Sequence, residues 1–379
     1  MKRIGVLGGG QLGMMLFESI GDLPVRLSFL DPDPACSCAA IGADVVLGDF
    51  KDFDQVLAFG RNKDIVTVEI EHVNTAALKE LQTSGVEVYP QPDILELIQD
   101  KGLQKEFYRE NKLPTAPYSL IASKNEIDPA RFPFPFVLKS RKGGYDGKGV
   151  ALIRDEGQLD NALSGPLVIE HLADIQKELS VIVARDIHGE VSSFPVVEME
   201  FDPEANLVSA LISPAELEDD LAEEATSLAE SLIRKLGLVG LLAVEMFLLK
   251  DGRIWINEVA PRPHNSGHQT IEGNSTSQYA QHLRAIAGLG LGPTEALGTA
   301  VMVNLLGADG HQGPRRILGR EEVEHVNHAH LHDYHKAITR PKRKMGHITV
   351  VDSDRQNALE LALDLQKKVS FVSDREMGD

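Results

Sequence analysis

The chain has 379 residues, 42% of them hydrophobic and 25% charged, with 57 acidic against 38 basic side chains and a formal net charge of −19. That length accommodates two or three packed units, the acidity argues against nonspecific nucleic-acid binding, and no run approaches a membrane span. Met1-Lys2-Arg3 leads straight into a strand rather than a signal peptide, and Cys36 and Cys38 support neither a disulfide framework nor a zinc site, so a cytoplasmic protein is expected.

Lys2–Leu7 reads as a strand, Gly8-Gly9-Gly10-Gln11-Leu12-Gly13 fits G-x-G-x-x-G at the start of a helix, and Val25–Leu30 is a second strand ending at Asp31. This satisfies the dinucleotide fingerprint, including an acid about 20 residues on. Alone it would make a nicotinamide-dependent oxidoreductase the default, although physically it reports only a helix N-terminus ready for a phosphate. Asp64–His72 is a further strand ending in acids, Glu71 among them.

In the middle of the chain, Phe134–Lys139 is a short apolar strand ending in lysine, and Val150–Ile153 another. Between them lie Gly143, Gly144, Gly147 and Gly149, with Arg141, Lys142 and Lys148. Backbone N–H groups in such a loop can turn toward an anion, so a glycine-rich hairpin acting as a flap over a triphosphate is expected. It is not a strand–GxxxxGK[ST]–helix loop, because no Ser or Thr follows Lys148. Pro166–Leu172, with Glu170, is a buried-looking strand running into a polar hinge; backbone groups at its end can read an adenine edge, and a carboxylate a few residues on, Glu178, can accept from ribose hydroxyls. Pro214–Leu236 has apolar residues at helical spacing and reads as a scaffold helix.

The strongest signal follows. Leu241–Pro261 reads as two apolar strands around Asp251-Gly252, the dipeptide of a two-residue hairpin. Counting outward, Lys250 pairs with Arg253, and Glu245 faces Glu258. Like charges about 5 Å apart repel. A hard divalent cation between them removes the conflict, and magnesium commonly takes one or two carboxylates together with water and nucleotide phosphate. Directly after Glu258, two prolines stiffen a polar loop that presents Arg262, His264, Asn265, Ser266 and His268 beside that cation.

From about Thr299 the chain carries strands at Ala300–Leu305 and Gly346–Val351 and a helix near Gln356–Lys367. His328, His330 and His332 alternate on one strand face, but no pattern of further ligands completes a transition-metal site. The basic cluster Lys336, Arg340, Lys342, Arg343 and Lys344 is a candidate pocket for a phosphate monoester.

Taken in order, the lysine strand, glycine flap, Glu-containing hinge and Glu…Asn-Glu hairpin resemble the ATP-grasp superfamily. More narrowly, Gly8–Gly13, Gly143–Gly149, Asn257–His268 and Arg343–His347 are similar to the N5-carboxyaminoimidazole ribonucleotide synthetase family. The resemblance implies an α/β fold of three units: a Rossmann-like parallel-sheet domain over residues 1–100, an ATP-grasp domain over 101–296 with a flap subdomain at about 115–185, and a small β-rich domain over 297–379. It implies ATP as nucleotide, held by Lys101, Lys139, Gly144, Tyr145, Asp146, Gly147, Lys148, Gly149, Glu170, His171, Leu172, Ala173, Glu178, Asn257 and Glu258, and Mg2+ on Glu245 and Glu258. It places 5-aminoimidazole ribonucleotide against Gly10, Gln11, Leu12, Glu71, Tyr145, Ser266, Lys336 and Arg343. Tyr145 and Asp146 face the imidazole and its amine, while Arg262, His264, Asn265 and His268 orient bicarbonate. A homodimer is implied too. Met14, Phe201, Gln269 and His335 depart from the family's usual arginine, histidine, tryptophan and glycine. Another ATP-grasp ligase, such as a formate-using transformylase or biotin carboxylase, would share Lys139, Glu245 and Glu258, and a noncatalytic nucleotide sensor would bind ATP without turnover.

Overall fold

The computed structural model describes residues 1–143, 149–159, 163–202 and 207–374. In the first unit, β1 (Lys2–Leu7), β2 (Val25–Asp31), β3 (Val45–Leu47), β4 (Ile65–Val68) and β5 (Glu87–Val88) run parallel in the order β3-β2-β1-β4-β5. Ile4, Val6, Leu7, Val66 and Val68 are fully buried, as near-continuous apolar strands require when both faces are covered. The strand expected over Asp64–His72 stops at Val68. Glu69–His72 therefore leave the carboxyl edge of the sheet, where open parallel sheets place ligands.

Four antiparallel strands form the flap sheet: β6 (Tyr118–Ile121), β7 (Phe136–Ser140), β8 (Val150–Ile153) and β9 (Leu167–His171), in the order β6-β9-β7-β8. Lys139 pairs with Val150, so β7 and β8 are the two arms of the expected glycine-rich hairpin. Gly144–Lys148, with Tyr145 and Asp146, lie outside the described residues.

The next strands are β10 (Ile175–Arg185), β11 (Val191–Ser193), β12 (Val197–Asp202), β13 (Leu207–Ser213), β14 (Gly240–Leu249), β15 (Ile254–Ala260) and β16 (Thr299–Leu306). After them come β17 (Gly313–Leu318), β18 (Ala329–Asp333), β19 (Ile338–Thr339), β20 (Lys344–Asp352) and β21 (Ser370–Ser373). One antiparallel sheet runs β15-β14-β10-β12-β13-β16-β20-β18, with β11 also on β10. The C-terminal strands are thus continuous with the central sheet, because β16 pairs with β13 from Ala210↔Val303 to Ser213↔Ala300.

The helix expected from Pro214 begins at Asp219. Ala215 N–H bonds to Val196 O at 2.7 Å, which holds the preceding residues alongside the sheet. Asp219 and Asp220 sit in its first turn, Arg234 and Lys235 in its last, and Gly237 ends it at φ +63°, matching the helix dipole and the preference for glycine at a left-handed cap. Ala225, Ala229, Leu232 and Ile233 pack into one core with Leu179, Val181 and Val244 of β10 and β14. Among the described residues no helix is long and apolar enough to cross a membrane.

Candidate active site

Glu245 does face Glu258 across β14 and β15, though not through the simple hairpin expected. Leu249 N–H bonds to Arg253 O, and Gly252 N–H to Leu249 O, both at 2.9 Å. Leu249, rather than Lys250, thus faces Arg253, and the turn holds three residues, with Gly252 at φ +87° taking the left-handed position such loops need. That shift alone would oppose Glu245 to Asn257. A bulge restores the register: Met246 pairs with Ile256, then Glu245 with Glu258, and Asn257 is the extra residue. Bulges that re-aim a side chain are over-represented beside active sites.

The bulged Asn257 accepts from Lys139 Nζ at 2.8 Å, and Lys139 also lies 3.1 Å from Glu170. Lys101 is paired with Glu258. Lys105, one turn beyond Lys101, reaches Glu170 at 3.0 Å and Thr115 Oγ1 at 2.6 Å. Asp100 caps the helix carrying both lysines, accepting from Gly102 N at 2.8 Å, and its carboxylate takes Arg141 at 2.8 and 2.9 Å. The lysine helix and the flap base are thereby tied together. Burial drives the Lys105 ammonium down to about 8 against the opposing pull of Glu170.

Burial acts unequally on the acids. It raises Glu245 well above the usual carboxylate range, and the charges of Glu258 and Glu178 add to it. On Glu258 the upward push of burial is outweighed by Lys101 and Lys139, and its carboxyl stays low. Glu178, the hinge acid on β10, is pushed up to about 7 by burial, with Lys139 opposing. Glu245, Glu258, Glu178, Lys101 and Lys139 therefore act on one another at one site. The other hinge residues, His171, Leu172 and Ala173, follow at the end of β9, where the Leu172 side chain is exposed.

After β15 the chain turns through Pro261-Arg262-Pro263 into a short helical turn, Asn265–Gly267. Arg262 Nε lies 2.5 Å from Glu71 Oε2 and its Nη1 donates to Pro263 O at 3.1 Å. Burial pushes Glu71 up, but the Arg262 charge and hydrogen bond win and hold it down at about 2. His264 Nε2 approaches Glu245 Oε1 at 3.4 Å. Its ring is neutral, because burial and then Arg262 and Lys344 lower its pKa to about 3. Gln278 fixes the His264 backbone, accepting from its N–H at 2.9 Å and donating to its C=O at 2.7 Å. Asn265 Oδ1 is buried with no hydrogen-bond partner among the described residues.

Two loop residues sit behind this surface rather than on it. Ser266 is buried, its hydroxyl shared between Ser180 Oγ at 2.7 Å and His264 Nδ1 at 2.9 Å. His268 is fully buried and bonded to Tyr279 OH at 2.8 Å. Both side chains are held by the loop's own hydrogen bonds and its neighbours, which fixes the loop's conformation.

In the first unit the glycine loop is already filled. Gly9 N–H donates to Asp31 at 2.7 Å, and Gly10 N–H and Gly13 N–H donate to the two oxygens of Glu69 at 2.9 Å each. A Cβ at Gly10 would meet Glu69 Oε1 at 2.8 Å, so the loop needs glycine for the carboxylate's close approach. From the third unit, Lys336 Nζ donates to Lys344 O at 2.7 Å and Arg343 Nη1 to Ile338 O at 2.6 Å. Burial and Arg340 lower the Arg343 pKa while Asp33 raises it, which sets this basic edge against the first unit. Lys344 reaches His264 and His268 electrostatically. Sequence reasoning missed Lys105 and Glu69 as site residues, and placed Lys344 in a phosphate pocket rather than near His264 and His268. The i,i+4 spacing from Lys101 was a usable signal for Lys105; nothing local ties Glu69 to the glycine loop.

Of the departures, Met14 and Gln269 are buried, Met14 among the apolar residues of the first core. His335 adopts φ +53°, which accounts for the usual glycine there, and its N–H donates to Asp333 at 2.9 Å. The Phe201 side chain lies outside the described residues.

The donor set suits a hard cation bound with a polyphosphate. Glu245 and Glu258 supply two carboxylates, brought face to face in a buried site beside Lys101 and Lys139. Among the described residues no three His, Cys, Asp or Glu side chains could hold a metal ion by themselves. An ion here needs oxygens from nucleotide and water, the habit of magnesium rather than zinc.

Residues 106–279 match the ATP-grasp domain, residues 1–99 the ribonucleotide synthetase preATP-grasp domain, and residues 300–361 the phosphoribosylaminoimidazole carboxylase C-terminal domain. Fold and site thus define an ATP-grasp protein. The chain is similar to N5-carboxyaminoimidazole ribonucleotide synthetase from Thermotoga maritima, with 42% identity, a TM-score of 0.90, and 99% of this chain and 100% of that one covered. A similar structure is the Aspergillus clavatus N5-carboxyaminoimidazole synthase in complex with ADP and 5-aminoimidazole ribonucleotide, at 32% identity and a TM-score of 0.85, covering 97% and 98% of the two chains. Phosphoribosylaminoimidazole carboxylase of Candida albicans is 38% identical over 94% of this chain, which spans 65% of that protein's length. The chain belongs to the N5-carboxyaminoimidazole ribonucleotide synthetase family.

Proposed function

We propose that the protein uses ATP and bicarbonate to carboxylate the exocyclic amine of 5-aminoimidazole ribonucleotide, giving N5-carboxyaminoimidazole ribonucleotide, ADP and phosphate in purine biosynthesis. The observation that carries this reading is the facing Glu245–Glu258 pair, ringed by Lys101 and Lys139 and next to the Arg262–His264 loop. A bicarbonate oxygen attacks the γ-phosphorus of ATP and the bond to ADP breaks, leaving carboxyphosphate. The amine nitrogen attacks its carbonyl carbon, or carbon dioxide released from it, phosphate departs, and the amine loses a proton. Lys139 and Lys101 neutralise the departing phosphate charge by position alone. Arg262, aimed by Glu71, and the neutral His264 orient bicarbonate, while closure of the flap with Tyr145 and Asp146 excludes water from a hydrolysable intermediate. Glu245 and Glu258 would hold magnesium, which supplies charge neutralisation at the phosphate oxygens.

On this reading Lys336 and Arg343 grip the ribonucleotide phosphate, Gly10, Gln11 and Leu12 lie against the same substrate, and Glu170, Glu178 and the hinge after His171 hold the nucleoside of ATP. The working form is a homodimer of the cytoplasm, and the functional boundaries fall near residues 100 and 296. The test is ADP release measured with each acceptor. Stimulation by 5-aminoimidazole ribonucleotide with bicarbonate supports the proposal; stimulation instead by formate with glycinamide ribonucleotide replaces it with the transformylase reading, and ATP binding without turnover replaces it with a sensor.

A further inference from the structure

Behind the Arg262–His268 loop lies a polar layer that the proposed chemistry does not use. Across β16, β20 and β18, Asn304 pairs with His347, and His347 with His332; two residues along, Thr349 pairs with His330. The short helix Thr270–Gly273 packs against β16 and β20. His347 is fully buried, with Nδ1 bonded to Tyr334 OH at 2.9 Å. Its ring lies 4.9 Å from that of His268 and stacks on His332 at 4.3 Å and 11°. His332 Nε2 in turn meets Glu272 Oε1 at 2.7 Å. Glu272, His328, His330 and Asp352 then line an open pocket of about 340 Å³.

Four buried polar atoms of this layer have no protein hydrogen-bond partner among the described residues: His268 Nε2, His347 Nε2, Thr349 Oγ1 and Glu272 Oε2. Buried polar groups in native proteins are rarely left unbonded. A cluster of them in one layer, next to an open pocket, is the setting in which internal water makes two to four bonds each. Each buried histidine has one ring nitrogen tied to a tyrosine hydroxyl, so the other points its hydrogen or lone pair into the layer. Burial holds both rings neutral, which leaves them able to bond water without an unpaired charge.

We propose that the layer is a hydrated chamber, a binding site for ordered water that bridges His268 to His347 and continues past Thr349 to Glu272. Through it the C-terminal strands fix the orientation of His268 and hence of the loop that carries Arg262 and His264. His268 and His347 are positioning residues on this view, which rests on the proposed function only in calling that loop catalytic.

Three measurements on the full chain decide it. A crystal structure resolving internal solvent should show water within hydrogen-bond reach of both His268 Nε2 and His347 Nε2; the two rings packed together without water overturn the proposal. Thr349→Val removes one hydroxyl at nearly constant shape. In a hydrated chamber it lowers Tm by about 2 °C, whereas an unchanged or raised Tm means a dry site and also overturns it. In the crystal, His347→Gln should shift Arg262–Ser266, and it should lower kcat for ADP release about tenfold with KM for ATP unchanged. An unmoved loop with full kcat defeats the positioning role. If the wild-type protein released no ADP with 5-aminoimidazole ribonucleotide and bicarbonate, the proposed function would fail, while the solvent, Tm and loop measurements would still decide the chamber.

Discussion

The glycine loop of the first unit and the acidic hairpin of the central unit are both built to meet a charge, and they differ in what already meets it. Gly9, Gly10 and Gly13 aim N–H groups as a phosphate would want, yet Asp31 and both oxygens of Glu69 occupy them at 2.7 to 2.9 Å. The N-terminus of the helix after Gly10 is satisfied by a carboxylate of its own chain. In the hairpin, Glu245 faces Glu258, one lysine pairs with Glu258, and the histidine beside Glu245 is neutral. The first region has its charges closed internally and the second leaves them open. A motif reports a geometry, and the partners that fill it decide whether a ligand is needed there. A dinucleotide pyrophosphate would have to displace Glu69, which is why the oxidoreductase reading loses its ground in the structure.

The widest break between the two regions is expected from Glu258→Gln. It removes one of the two facing carboxylates and leaves Lys101 without its partner, so ADP formation should fall by at least about a thousandfold while circular dichroism stays native. Turnover near the wild-type rate in that variant would take the acid pair out of the chemistry. Next comes Arg262→Lys. Arg262 engages Glu71 through Nε and Pro263 O through Nη1, and a single ammonium cannot reproduce that fork. The loss in kcat/KM should be about a hundredfold, at an unchanged KM for ATP; a variant within twofold of wild type would show that the guanidinium geometry is not used.

How far these features could be read beforehand depends on whether they are local. The parallel strands, the flap hairpin and the scaffold helix follow from hydrophobic period and breakers, signals that lie within a few residues. The Glu245–Glu258 pairing was legible for a reason that proved incomplete: a three-residue turn displaced the register by one, and the Asn257 bulge restored it. Two irregularities cancelled, and neither leaves a mark in a binary pattern. The partners that close the glycine loop are 22 to 59 residues away in sequence, so no window around Gly10 contains Glu69. Ser266 and His268 have the residue types of a site, and nothing in their spacing tells that both side chains are buried. The continuity of the C-terminal strands with the central sheet rests on the β13–β16 pairing, which chain order alone does not specify.

A smaller effect concerns protons. Glu245 is raised by burial and by the charges of Glu258 and Glu178 above its ordinary value of 4.5. A carboxyl raised in the folded state binds its proton more tightly there than when unfolded. Its contribution to stability is complete below about 4.5, declines as pH rises above that value, and is gone once pH passes the raised pKa. A bound divalent cation requires the ionised form, so magnesium–nucleotide affinity should rise with pH over the same window, by at most about tenfold per unit. Thermal melts across pH with and without the magnesium complex of a nonhydrolysable ATP analogue measure this. Equal slopes in the two series would mean that Glu245 is not the group that gives up its proton.

The least disruptive probe is Glu69→Gln, which tests the closed region on its own terms. The amide keeps the carboxylate's shape but offers one acceptor where two N–H groups need one each, and its NH2 would point at the other donor. One buried N–H, of Gly10 or Gly13, then goes unbonded at a cost of about 1–3 kcal/mol, read as a Tm lowered by about 2–4 °C. If Glu69 is only an internal cap, the variant loses stability and gains no affinity for NADH in equilibrium binding. Unaltered Tm would show that the carboxylate does not close the loop, and NADH binding in the variant would show that the loop is a dinucleotide site held shut by one side chain. Either outcome would erase the contrast with the hairpin, where the charge is left open for a ligand to complete.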